Sequence, residues 1–343
     1  MKDTHKLTPA EPQAQPIAED AAAQPGPAGN DGIDRRSFLS CMAWAGTGLL
    51  WTMAGGVPTS KLFAAATGAG SGEAAHSNGA VGFSFVQISD SHIGFSKAAN
   101  QDVSGTLKLA IDKINALSVR PDFLLHTGDV SQSSKPSEFD TAQQIIQTAK
   151  VGQSFYVPGE HDTASDDGAL YRERFGKNTI GNGWYSFTHR GVHFIGLNNS
   201  LQIDALGKLG PEQLSWLKTD LASLSSSTPV VVFAHIPLWM VYPDWGWGTQ
   251  DGAEALSYLK RFGSVTVLNG HIHQVVQKVE GNVAFHTATS TAFPQPAPGK
   301  AANPGPMVVP ASQLKSVLGV TEVKYIARHS HLAIVDSSLE EKA

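Results

Sequence analysis

Phe155-Tyr156-Val157-Pro158-Gly159-Glu160-His161-Asp162 is the stretch on which the reading of this chain turns. Three apolar residues of a strand meet a breaker, and a carboxylate, an imidazole and a second carboxylate follow on the turn. A strand end is where a rigid sheet holds metal ligands and proton donors at fixed positions. Four other segments are built the same way. Phe83 to Ser89 runs into Asp90-Ser91-His92, and Phe123 to Thr127 runs into Gly128-Asp129. Val230 to Ala234 runs into His235, and Val265 to Asn269 into Gly270-His271-Ile272-His273. Five apolar strands therefore deliver oxygen and nitrogen donors to one edge.

Between these strands the apolar spacing turns helical. Leu107, Ile111, Ile114 and Leu117 share one helix face, and Pro121 stops that helix before the next strand. A second helix is expected from Pro136 to Ala149. A third opens at Pro211, where proline costs only an N–H that has no helical partner, and a fourth runs from Ala253 to Phe262. Hairpins are expected about Arg190-Gly191 and about Gly281-Asn282, and a last strand from His331 to Asp336. Residues 293–310 carry six prolines and read as an irregular loop. The pattern predicts one α/β domain over residues 83–338, with helices outside a two-sheet core.

The chain has 343 residues, 41% hydrophobic and 16% charged, with a formal charge of −5. That balance is ordinary for a globular protein and offers no basic field, which disfavours a stable nucleic-acid partner. Residues 1–33 are rich in Ala, Pro, Gln and Gly and cannot bury enough surface to order themselves. Asp34-Arg35-Arg36-Ser37-Phe38-Leu39 comes next, followed by a glycine-diluted apolar stretch and Ala64-Ala65-Ala66. Residues 34–66 resemble a twin-arginine export signal, which implies the export machinery as a partner and a periplasmic or otherwise exported protein. A retained membrane anchor is the alternative. Residues 67–82 read as a linker. Cys41 is the only cysteine, so cleavage near Ala66 leaves no thiolate ligand and no disulfide.

Two cations held close together need about ten donor positions and one bridging carboxylate to offset their repulsion. Asp90, His92, Asp129, Glu160, His235, His271 and His273 form a sufficient set. The ordered blocks D-x-H, G-D, G-(N/E)-H-D, H and G-H-x-H resemble the calcineurin-like metallophosphoesterase superfamily over most of residues 83–290. The resemblance implies a four-layer α/β/β/α sandwich with a dimetal centre of Fe, Mn or Zn at the strand ends. It also implies hydrolysis of a small phosphomonoester or phosphodiester by a metal-bound hydroxide. Carried over, Asp90, His92 and His273 hold the first metal, Asp129 bridges, and His235 and His271 hold the second. His161 faces the leaving group and Asp162 orients its ring. Glu160 stands where the family usually has Asn, adding a charge to the second metal position. That charge leaves a second class open, a periplasmic metal- or phosphate-binding module with little hydrolytic activity.

Other residues have two readings. His126 fits a satisfied core position. His286 is a core residue or lines the pocket, and His329 and His331 share one strand face turned to solvent. Asn198 and Asn199 stabilise a loop or border the site. Trp239, Tyr242, Trp245 and Trp247 form either an aromatic plug that pins the loop after His235 or a lid over the substrate.

Overall fold

A computed structural model describes residues 50–54, 57–61, 82–201, 203, 205–325 and 332–340. Within the unit Met1–Ser71, strands β1 (Leu50–Ala54) and β2 (Val57–Lys61) pair antiparallel. Arg35-Arg36, Ala64 to Ala66 and most of the expected linker lie outside the described residues, as do His329 and His331. No described helix is long and apolar enough to cross a membrane.

The unit from Gly72 onward carries two sheets. One comprises β3 (Phe83–Ile88), β4 (Phe123–His126), β5 (Gln153–Tyr156), β12 (Gly319–Tyr325) and β13 (Leu332–Ser338), in the order β13-β12-β3-β4-β5. The other comprises β6 (Tyr185–His189), β7 (Val192–Gly196), β8 (Val230–Phe233), β9 (Val265–Asn269), β10 (Gln277–Glu280) and β11 (Val283–Thr287), in the order β10-β11-β9-β8-β7-β6. Strands β3, β4 and β5 run parallel, as do β7, β8, β9 and β11. Parallel neighbours place their C-terminal ends on one edge, which is how five ligand blocks far apart in sequence come together.

Alternation along the strands sorts their side chains into three apolar layers. Val86, Ile88 and Leu124 point outward, onto Leu107, Ile111 and Ile114 of α1 (Val103–Asn115) and Phe139 of α2 (Pro136–Ile146). Phe85, Phe123 and Leu125 point inward and meet Phe194, Val231, Phe233 and Leu268 of the second sheet. On that sheet's far side, Val230, Val232 and Val267 pack under Leu214, Leu217 and Leu221 of α5 (Pro211–Ala222) and Ala255 and Leu259 of α6 (Gly252–Leu259). The result is the α/β/β/α sandwich. Its middle layer is aromatic: Phe85 stacks on Phe123 at 4.9 Å, and Phe194 meets Phe123 edge-on at 5.2 Å.

Among the elements that the structure adds to the sequence reading are α4 (Ala169–Phe175) and strand β12. In β12, buried Val323 and Tyr325 alternate with partly exposed Glu322 and exposed Lys324, a half-buried strand pattern hidden behind the proline-rich loop. The helix expected to reach Ala149 ends at Ile146, and the one expected to reach Phe262 ends at Leu259.

Candidate metal centre

Three of the five ligand blocks leave their strands through a sharp reversal. Asp90, His92, Asp129, His271 and His273 all have positive φ, at 53°, 42°, 53°, 70° and 53°. Asp and His tolerate this left-handed region better than bulkier residues do, but each such position still carries strain that the surrounding fold must hold. Here cross-ties hold it. The Asp90 N–H donates to the Gly128 carbonyl at 3.0 Å and the His92 N–H to the Asp129 carbonyl at 2.9 Å, locking the first two blocks together. The His271 N–H donates to Asp90 Oδ1 at 3.1 Å, and the His161 N–H to Asp129 Oδ1 at 3.0 Å. Gly159 and Gly270 allow these approaches: a Cβ on Gly159 would collide with Asp129 Oδ1, and one on Gly270 with Ser89 Oγ.

The seven donors form two groups that share Asp129. Asp90, His92 and His273 offer ligand atoms within 4.8 Å of one another; so do Glu160, His235 and His271, with Asp90, Asp129 and His235 as a third trio. Within the first group His92 Nε2 lies 3.2 Å from His273 Nε2 and 3.5 Å from Asp129 Oδ2, and His273 Nε2 lies 3.3 Å from Asp90 Oδ1. Within the second, His235 Nε2 is 3.0 Å from Glu160 Oε2 and 3.4 Å from Asp129 Oδ2, and His271 Nδ1 is 2.9 Å from Glu160 Oε1.

The second-group contacts are not ordinary hydrogen bonds. Carbonyls accept from the Nδ1 of both His235 (Thr127, 2.6 Å) and His273 (Phe293, 2.6 Å), so in the neutral ring each Nε2 presents a lone pair to the site. Among the described residues His235 Nε2, Glu160 Oε2 and both ring nitrogens of His271 are buried without a hydrogen-bond partner. Nitrogen lone pairs facing carboxylate oxygens at about 3 Å repel unless positive charge lies between them. The electrostatics carry the same demand. Burial lowers the His235 imidazole, but the Asp129 and Glu160 carboxylates outweigh it and raise it well above its ordinary value. Burial would raise the Glu160 carboxyl, but His271 and His235 hold it well below the usual carboxylate range. Three carboxylates and four imidazoles, converging with unsatisfied donor atoms, fit a pair of cations of the hard-to-borderline class.

A family model described as calcineurin-like phosphoesterase matches residues 83–275. The chain belongs to that family. It is 29% identical over 217 residues to a 3′,5′-cyclic-nucleotide phosphodiesterase of Nostoc sp., covering 61% of this chain and 79% of that one. It is 24% identical over 226 residues to a glycerophosphodiester phosphodiesterase of Enterobacter lignolyticus, covering 61% and 77%. Its fold is similar to a dimetal phosphatase from Danio rerio, with a TM-score of 0.57 at 14% identity over 76% of this chain and 97% of that one. A purple acid phosphatase from yellow lupin seeds also shares the fold, with a TM-score of 0.55 at 14% identity over 76% and 52%. The protein is a metal-dependent phosphoester hydrolase, and the residues that could hold its metals are the two groups above.

One role expected within this calcineurin-like phosphoesterase does not survive the geometry. Asp162 does not orient the His161 ring. Consecutive residues on the helical turn α3 (Glu160–Thr163) point in different directions. Asp162, fully buried, instead accepts from the N–H groups of Gly159, Val130 and Ser131 at 3.0, 3.0 and 2.8 Å, and from Ser131 Oγ at 2.9 Å. It ties the His161 turn to the Asp129 loop. Burial and the Asp129 charge push its carboxyl up to about 7, against these donated bonds. The ring of His161 is set by the backbone of Gln132, whose carbonyl accepts from Nδ1 at 2.7 Å.

Other residues behind the ligands were not singled out by the sequence. Phe293 supplies the carbonyl for His273 and packs its ring against His92 and His273 at 4.7 and 4.8 Å, so the proline-rich segment forms one wall of the centre. Buried Gln87 donates to the Asn269 carbonyl at 3.1 Å, tying the two sheets just below the site, while Asn269 itself donates to the Ala234 carbonyl. A polar residue at an inward position of an apolar strand is the signal that could have revealed them. Buried His126 bonds Ser91 Oγ at 2.9 Å, and burial lowers its imidazole to about 4. His286 does not line the site but bonds Asp336 at 2.9 Å. Asn199 bonds the Ile236 carbonyl and Thr249 Oγ1, a loop-stabilising role. Trp239 and Trp247 are buried, Trp239 against Phe285 at 4.6 Å, so the aromatic loop is pinned rather than free to close.

Proposed function

We propose that this chain is an exported hydrolase that cleaves the P–O bond of a small phosphate ester at the paired metal centre. The observation that carries it is Asp129 Oδ2, 3.5 Å from His92 Nε2 and 3.4 Å from His235 Nε2, standing between two donor groups, the second of which has inward atoms without a hydrogen-bond partner. When bound, the two cations supply Lewis acidity and lower the pKa of coordinated water. Asp90, His92 and His273 would hold the first and Glu160, His235 and His271 the second, with Asp129 within reach of both groups.

The chain's own residues do the rest. Thr127 and Phe293 hold His235 and His273 in the tautomer that offers Nε2. Burial lowers the His161 imidazole, but Asp129 and Glu160 outweigh it and raise it. With Nδ1 donating to the Gln132 carbonyl, Nε2 carries a proton for the departing alkoxide in the imidazolium form, the form those two charges favour. The buried Asp90 and Asp129 exclude water from behind the centre, so substrate meets the half-buried rim of His161, Glu160 and His271.

Export is supported by Arg35-Arg36 ahead of Phe38-Leu39 and the glycine-containing apolar stretch. That route carries folded chains, which suits a protein loaded with metal beforehand. The test is metal content by mass spectrometry on chelator-free protein, with hydrolysis of aryl phosphomonoesters and phosphodiesters. About two metals per chain with turnover is expected; metal without turnover of either ester class contradicts the proposal.

A further inference from the structure

Resting on the hydrolase reading, we infer that Glu160 is a charge filter that favours phosphodiester monoanions over phosphomonoester dianions. The three carboxylates of the centre are placed unequally. Asp90 and Asp129 lie at its floor, with side chains 0% and 2% exposed, whereas Glu160 is 28% exposed and its neighbour His271 14%. The Glu160 carboxylate is thus the anionic group that an arriving phosphoryl group meets first. A neutral amide at this position offers an oxygen of similar reach with no charge.

The position of the charge is built. The Glu160 oxygens lie 3.0 Å from His235 Nε2 and 2.9 Å from His271 Nδ1, which places the carboxylate at the second metal position. Gly159, forced by contact with Asp129, fixes where the turn begins, and Asp162 pins where it goes next through three backbone N–H bonds. The backbone that carries the charge is thereby fixed. Repulsion scales with the charge on the approaching group, so a dianion is disfavoured about twice as strongly as a monoanion at equal distance. A phosphomonoester takes its second negative charge near pH 6, as phosphorylated side chains do at about that pKa, whereas a diester never does. The rim therefore selects by number of ester bonds, independent of what the ester groups are.

The experiment measures binding on metal-loaded protein by calorimetry, with inorganic phosphate as the dianionic probe at pH 8 and dimethyl phosphate as the monoanionic one. Metal content is measured on the same samples. Glu160→Gln and Glu160→Asn are expected to tighten phosphate relative to dimethyl phosphate by about tenfold, with Glu160→Asp leaving the ratio near that of the native protein. Loss of a metal would move the ratio the other way by weakening phosphate, so the sign separates the two causes. A second arm follows pH: from 5.5 to 8 the preference of the native protein for dimethyl phosphate, relative to that of Glu160→Gln, should grow as phosphate gains charge. A ratio unmoved by neutralising Glu160, or flat with pH, overturns the charge filter while leaving the hydrolase standing. Absence of turnover with two metals bound would sink the hydrolase reading but not the measured ratio.

Discussion

The metal position around Asp90, His92 and His273 is closed on every side, whereas the one around Glu160, His235 and His271 opens through two of its three donors. The closed position is backed by the Phe293 ring and by the interlocked turns after β3 and β4. Burial takes the His92 imidazole down to about 3, with the Asp129 charge unable to restore it, so that ring stays neutral and ready to ligate. The open position rests on one buried histidine and a short helical turn, where a neighbouring charge holds the His235 ring at the opposite extreme. The difference implies a division of labour: a cation in the closed position would anchor the centre, and one in the open position would face substrate and exchange more readily.

The largest expected effect erases the comparison altogether. Asp129 is the group common to both positions, so Asp129→Ala should empty both and lower kcat/KM by on the order of a thousandfold or more. Metal analysis beside kinetics checks it; a variant that keeps two metals and full turnover would show that the positions do not share Asp129.

The next effect sharpens the comparison at the open rim. His161→Ala should lower kcat by about 10²–10⁴-fold with metal content unchanged, because the residue supplies a proton rather than a ligand. Asp162→Ala should instead strip four donors of their acceptor. It should cost at least about 1–3 kcal/mol of stability in denaturant unfolding, the range for one unmet buried group. Equal loss of stability in the two variants would put His161 in a structural role.

How far the sequence carried this can be judged from particular residues. The two-sheet α/β pattern was legible because five apolar runs of strand length, separated by helical spacing, end in donor residues, and the four layers came from the family resemblance those residues carry. The sharing of an edge followed from parallel order. Strand β12 was not read, because its alternation begins directly after an irregular proline-rich stretch. Asp162 was misread because adjacency along the chain was taken for adjacency in space, which a helical turn denies. Phe293 was invisible for a different reason: its contribution to His273 is a backbone carbonyl, which every residue type possesses.

The smallest effect lies away from the centre and serves as its control. Burial raises the Asp220 carboxyl, but hydrogen bonds from His193 and Ser186 at 2.8 and 2.6 Å outweigh it and leave it lowered. A carboxyl lowered by folding contributes stability above its unfolded value of about 3.9 and loses it as pH falls through the folded value. Asp220→Asn should therefore weaken the native fold slightly at neutral pH and flatten its acid limb in unfolding titrations, with turnover per folded molecule unchanged. An unchanged acid limb would remove Asp220 from the account.

The inequality of the two positions is tested most directly by following metal release from the native protein under excess chelator, with mass spectrometry counting the ions that remain. The account predicts two phases of about one ion each, turnover vanishing with the first, and a Glu160→Gln variant accelerating the first phase alone. Release of both ions in a single phase, or a Glu160 substitution that speeds only the slow one, would contradict the division into a closed and an open position.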